Sequence, residues 1–152
     1  MKKNNIILLL LLFSVDLIAQ NQLVTNQFIL KGDYKEIEKT NHKILGYDAV
    51  NYTFFSANGK EFYQLGVVIG DNKGFSYLEK IKNSDPRYSV IQFQNVKGIS
   101  SEREVISEGS MLYIKDIMFF KNNNSFSVLL TVENKPDLAP LFAKFMTSFK
   151  AK

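Results

Sequence analysis

Asp116 is the residue whose type and setting first suggest chemistry, because it interrupts an apolar run, Met111-Leu-Tyr-Ile-Lys-Asp-Ile-Met-Phe-Phe120. A carboxyl group withdrawn from water holds its proton to higher pH and suits either proton transfer or recognition of a polar group on a ligand. Left unpaired it costs several kcal/mol, so a nearby Arg or Lys, or a place at a sheet margin, is the structural explanation to set beside the functional one. Glycosidase-like chemistry needs a second carboxylate converging on the first, and the sequence nominates none. His42 is the single histidine and lies in the polar stretch Lys39-Thr-Asn-His-Lys43. With no Gly-x-Ser-x-Gly turn in the chain, a serine triad lacks its nucleophile, and His42 reads as a solvated loop residue.

Other constellations fail on spacing. Zinc needs several His or Cys ligands, and the chain has one His and no Cys. Asp71-Asn-Lys-Gly74 lacks the alternating oxygen ligands and distal Glu of a calcium loop and reads as a turn before a helix. Lys73-Gly-Phe-Ser-Tyr-Leu78 imitates an RNA-recognition strand, but Lys80 stands where a later aromatic is needed and Phe75, Leu78 and Ile81 recur at helical spacing. No metal and no cofactor site is expected. Phe55 and Phe62 are a different kind of candidate: they face each other on the polar side of a hairpin, as a contact patch for a partner or as a cross-strand pair tucked under a loop.

The elements that must position these residues follow from pattern. Asn58-Gly59 lies between two alternating runs, and a two-residue turn there puts Val50, Tyr52, Phe54, Tyr63, Leu65 and Val67 on one face, with Asn51, Thr53 and Gln64 on the other. Gln27 to Leu30 reads as a short strand, and the charged segment 31–43 adds one around Tyr34 to Ile37. After Gly70-Asp-Asn-Lys-Gly74 a short helix runs until Asp85-Pro86. Strand character resumes over 87–96, Lys97-Gly98 turns, and 102–107 forms another strand before Glu108-Gly109. A long hairpin then joins Met111 to Phe120 and Phe126 to Val132 through a five-residue loop, 121–125. If Phe120 pairs with Phe126, then Leu112, Ile114, Met118, Phe120, Phe126, Val128, Leu130 and Val132 share a buried face, with Asp116 beside Leu130. Tyr113, Lys115, Ile117, Phe119 and Leu129 make the other face, itself apolar enough to need a cover. Pro136-Asp137 opens a closing helix whose Leu138, Leu141, Phe142, Phe145, Met146 and Phe149 form an apolar stripe. The expected class is α+β, a largely antiparallel sheet with helices on its faces.

At 152 residues, with 45% hydrophobic and 13% aromatic content, the chain has material for one packed domain. Its N-terminus carries Lys2 and Lys3, an apolar stretch from Ile6 to Val15 too short to span a bilayer, and Ala19 before Gln20, the marks of an export leader. Residues 1–19 are therefore read as a signal peptide and 20–152 as a single α+β domain. Removing the leader lowers the net charge from +4 to +3, too even a balance for a nucleic-acid surface. The lack of cysteine excludes disulfides, a thiol nucleophile and a lipidated Cys at position 20. The expected product is a soluble periplasmic or secreted protein of a bacterial envelope, not a lipoprotein and not held in the membrane after cleavage.

The order strand, hairpin, helix, strands, long hairpin, closing helix resembles the PsbP-like αβα sandwich, on the strength of the Tyr113 to Val132 hairpin and the closing Phe142-Ala-Lys-Phe-Met-Thr-Ser-Phe-Lys150. That resemblance implies a partner-binding protein and no catalysis; no site residue carries over from it. The leading functional expectation is a non-enzymatic accessory factor that binds another envelope protein. The alternative is a carrier or sensor of a small apolar ligand held between sheet and helix, in a cavity lined by Met118, Phe119, Phe142, Phe145 and Met146.

Overall fold

Four of the chain's tight turns have the same backbone solution. Leu45-Gly46, Gln94-Asn95, Glu108-Gly109 and Asn122-Asn123 each place two successive residues at positive φ, from 45° to 89°. Two left-handed residues make a turn whose twist matches that of the flanking strands, and each such turn fixes register because it leaves only two residues outside the ladder. The pairs that close them are Ile44 with Tyr47, Phe93 with Val96, Ser107 with Ser110 and Lys121 with Asn124. Glu108 sits exposed at φ 50°, a conformation that a side chain with Cβ adopts at a cost of about 1–2 kcal/mol. Glu108→Asn, which completes an Asn-Gly turn with Gly109, is expected to raise the unfolding free energy by about 1 kcal/mol in a urea titration.

The computed structural model describes residues 22–152 except 33, 57, 58 and 60. Its elements are β1 (Gln22–Val24), β2 (Phe28–Lys31), β3 (Tyr34–Ile44), β4 (Tyr47–Ser56), β5 (Phe62–Ile69), α1 (Gly74–Ser84), β6 (Ser89–Phe93), β7 (Val96–Ser107), β8 (Ser110–Lys121), β9 (Asn124–Val132), α2 (Lys135–Ser148) and β10 (Phe149–Ala151). Seven strands form an antiparallel sheet in the order β3-β4-β5-β9-β8-β7-β6, and β1-β2-β10 form a smaller one. The export leader expected at 1–19 lies outside the described residues, as do Asn58 of the Asn-Gly turn and the side chain of Phe75.

One face of the large sheet carries Tyr52, Phe54, Tyr63, Leu65, Val67, Ile117, Phe119, Phe126, Val128, Leu130 and Val132, all buried. The small sheet and α2 cover it with Phe28, Leu30, Leu141, Phe145 and Phe149. On the opposite face α1 packs over β8 and β7. The class is α+β, a mainly antiparallel sheet with a helix on each face, as expected.

Several local expectations are corrected. Asn122 and Asn123 alone turn β8 into β9, because asparagine tolerates the left-handed region and Lys121, Asn124 and Ser125 prefer to continue the ladder. Phe126 thus pairs with Phe119 and not with Phe120, and this one-residue shift exchanges the faces of β8. Tyr113, Lys115, Ile117 and Phe119 join the core face, while Leu112, Ile114, Asp116, Met118 and Phe120 lie on the other with Leu129. Lys97-Gly98 is inside β7 and does not turn; the turn is at Gln94-Asn95. Gly98 is there for close approach, since a Cβ at that position would stand 2.7 Å from the Met118 carbonyl oxygen. The strand placed around 34–37 runs on to Ile44 as the sheet's edge, so His42 belongs to a strand opposite Ala49 and not to a loop. The hairpin around Asn58-Gly59 has the expected register, with Phe54 opposite Tyr63 and Phe55 opposite Phe62.

Candidate functional site

The uncovered half of the face beneath α1 is made mostly of small residues. Along β5, Val68 stands between Ala49 and Ser125, Gly66 between Asn51 and Ser127, and Gln64 between Thr53 and Leu129. A Cβ on Gly66 would lie 3.1 Å from the Asn51 side-chain oxygen, so glycine keeps this floor low. On the core side of the same strands the residues are Tyr52, Tyr63, Leu65 and Val67, which explains why one face is filled and the other hollow.

Helix α1 forms the wall of the hollow because its start is fixed to the sheet. Gly74 is buried; a Cβ there would overlap the Ser125 hydroxyl and stand 2.6 Å from the Phe120 ring. The Ser125 hydroxyl donates to Asp71 Oδ2 at 2.7 Å, and the Lys73 N–H donates to Asp71 Oδ1 at 2.9 Å. From the far side, the Tyr47 hydroxyl donates to Asn72 Oδ1 at 3.2 Å, linking the start of β4 to the segment that leads into the helix. Leu78, 7% exposed, wedges the helix against the Ile99 side of the sheet.

The result is a groove of about 660 Å³ between the floor, α1 and the β3–β4 tip, with Met118, Leu129, Val68 and Tyr77 among its apolar lining and Ile44 and Leu45 at its rim. Sites for small molecules are typically of about 300–1,000 Å³ and mainly apolar with a few polar groups, as here. The cavity that the sequence led us to expect lay against α2. Phe119 and Phe145 are instead sealed in the core, at 0% and 2% exposure, and Phe142 packs under the Lys115 ammonium, 4.5 Å from the ring centroid. Of that expected set only Met118 lines the groove, on the opposite face of the sheet.

Asp116 occupies a separate site on the same face, opposite Leu129 and Ser101 and not beside Leu130. It is 7% exposed. Tyr88 donates its hydroxyl to Asp116 Oδ2 at 2.7 Å, while Oδ1 has no hydrogen-bond partner of ordinary geometry among the described residues. Burial pushes the Asp116 carboxyl above its usual range, against the pull of the Tyr88 hydrogen bond and the Arg103 charge. Tyr88 is pushed up as well, first by burial and then by the hydrogen bond to Asp116. The partner is thus a phenol, with Arg103 acting at longer range, where the sequence suggested a direct Arg or Lys. Sequence reasoning missed Tyr88, whose only signal is its place just after the Asp85-Pro86 stop.

Phe55 and Phe62 do meet, with ring centroids 5.1 Å apart at 54°, and Phe55 remains 38% exposed. The structure does not bring them to Asp116 or into the groove. His42 does line the groove. Among the described residues no group of three or more His, Cys, Asp or Glu is placed to hold a metal ion, and no helix is long and apolar enough to cross a membrane.

No protein-family profile matches the chain, and no curated protein does. Among solved structures, one from Bacteroides thetaiotaomicron VPI-5482, determined at 1.50 Å, superposes with a TM-score of 0.64 at 11% identity over 87% of this chain and 48% of that one. The chain thus spans about half the length of that structure, and the likeness is one of fold alone. A Pseudomonas aeruginosa protein of unknown function aligns over 73% of this chain and 95% of its own, at 11% identity and a TM-score of 0.39, too low to support an argument.

Proposed function

We propose that the protein binds a small, mainly apolar ligand in the groove between the sheet and α1, as a carrier or sensor and without catalysis. The observation that carries this is the groove itself: a hollow of about 660 Å³ floored by small residues on central strands, beside a core that is otherwise filled with phenylalanine. An apolar hollow of this size beside a rigid sheet loses dispersion contacts that a ligand restores. Asp116, the one buried carboxylate among the described residues, is held by the Tyr88 hydroxyl and is not itself part of the groove lining, which favours binding over proton-transfer chemistry.

The test is titration of the purified protein with the fluorescent apolar probe N-phenyl-1-naphthylamine, alongside native mass spectrometry for a molecule carried through purification. One probe per chain is expected, with Ser127→Phe, which projects a ring into the groove from β9, weakening it at least tenfold while the circular dichroism and melting temperature stay unchanged. A wild-type protein that binds no probe and carries no molecule would end this reading.

A second reading keeps the expected role of accessory factor for another envelope protein, in line with the PsbP-like resemblance and the export leader read at 1–19. It is favoured by exposed apolar side chains at two hairpin tips, Leu45 at 93% and Ile106 at 71%. A pull-down from host envelope that recovers one near-stoichiometric protein, abolished by Leu45→Asn or Ile106→Asn, would support it.

A further inference from the structure

We infer that the ligand is a single-chain amphiphile with an anionic head, its chain in the groove and its head at Lys80; this rests on the ligand-binding reading above. The charge on α1 and on Lys73, the residue that caps its start, is sorted by face. Lys73, Ser76, Tyr77 and Lys80 line the groove, the i, i+3, i+4, i+7 spacing of one helical stripe. The helix's Glu79 points instead to a small hollow on the far side, with Lys82, Val90 and Ile99. The wall that meets the ligand therefore carries two cations and no carboxylate of the helix.

Those cations are uncommitted. Lys43, Arg87, Lys115, Lys135 and Lys144 each pair with a carboxylate within 2.6–3.0 Å. Lys73 and Lys80 make no ion pair among the described residues. Asp71, the one acidic residue lining the groove among the described residues, is already taken by the Ser125 hydroxyl and the Lys73 N–H. An unpaired ammonium at the edge of an apolar hollow complements a ligand with a negative end and a hydrocarbon body.

The two lysines are not equivalent. Seven residues of helix set them about 10 Å apart along the wall. At the Lys73 end stands the Asp71 carboxylate, and the Tyr47–Asn72 hydrogen bond bridges the groove's sides, so an anionic head there meets a like charge. Among the described residues no acid other than Asp71 lines the groove, so Lys80, about 10 Å further along the helix, has no such neighbour in the lining. The head belongs at Lys80, and the chain lies over Gly66, Ser127 and Leu129.

Displacement of N-phenyl-1-naphthylamine from the purified protein, by chains of one length held below their micelle concentrations, tests this. Tetradecanoate and tetradecyl phosphate are expected to bind about tenfold more tightly than tetradecanol, and tetradecyltrimethylammonium more weakly than any of them. Whichever anion is tighter tells a carboxylate source from a phosphate one. Lys80→Gln is expected to remove the tenfold preference while leaving tetradecanol unchanged, and Lys73→Gln to reduce it only slightly. Equal binding of anion and alcohol, or a preference that survives Lys80→Gln, overturns the assignment of the head while leaving the groove as a ligand site. If the probe itself does not bind, the ligand reading has failed beneath it.

Discussion

Replacing Phe149 by alanine is expected to lower the unfolding free energy by about 3–5 kcal/mol, the range for deleting a fully buried aromatic ring. Phe149 is 1% exposed and is the residue at which α2 becomes β10. Its ring lies 5.4 Å from that of Phe28 in the small sheet, 5.9 Å from Phe93 and Phe126, 6.0 Å from Phe119 in the large one, and 5.0 Å from Phe145 in α2. It therefore joins three layers, and the hole it leaves cannot close by moving one of them. The backbone around it is also fixed: the Phe149 N–H donates to the Phe145 carbonyl, the Gln94 amide donates to the Phe149 carbonyl, and the Ala151 N–H donates back to Gln94 Oε1 at 3.3 Å. Phe55→Ala is the contrast, because its ring is 38% exposed and among the described residues its ring partner is Phe62 alone. Its cost should be about 1 kcal/mol. Urea titrations with unchanged slope would measure both, and equal losses would show that Phe149 is not the junction described.

That junction was only half legible in the sequence. The apolar stripe of α2 announced Phe149 as inward-facing, but nothing marked Phe149 to Ala151 as a strand, because a three-residue strand contains no full period to recognise. The β4–β5 register was readable because Asn58-Gly59 specifies its own turn. The β8–β9 register was not, since Lys121-Asn-Asn-Asn-Ser125 accommodates a five-residue loop as readily as a two-residue turn, and one residue of slip reverses every side chain. Asp116 illustrates the consequence. Its burial was legible from its apolar neighbours, whereas its face and its partner depended on that register. The groove was hidden for another reason: Gln64, Gly66, Ser125 and Ser127 look like an ordinary solvent face, and only the position of α1, set by Gly74, turns them into a floor.

Asp116 supplies the second large effect, with a sign that differs from that of most carboxylates. Burial raises its pKa above the ordinary 3.8, so between the two values the folded state binds more proton than the unfolded one. The contribution of Asp116 to stability is therefore greatest in acid, falls as pH rises from about 4 through its folded pKa, and stays low above it. Asp85 runs the other way: Arg87 holds it down to about 2, so its contribution is present above the ordinary carboxylate range and is lost as acid protonates it. The difference curve between wild type and Asp116→Asn isolates the buried group. Asp116→Asn should be at least as stable as wild type at pH 7, since its amide oxygen can still accept the Tyr88 hydroxyl, and it should lack the decline with rising pH. Tyr88→Phe removes the hydrogen bond that supports the ionised form, and it should cost about 2 kcal/mol above the folded pKa of Asp116, more than it costs below it. In the Asp116→Asn background the same change should cost about half as much, because a neutral acceptor bonds less strongly than a carboxylate. Chemical denaturation of the four proteins over a pH series from 4 upward measures every quantity in this cycle. If Asp116→Asn kept the wild-type pH profile, the carboxyl would be titrating as though it were in water, and the hydroxyl of Tyr88 would be no more than a neighbour.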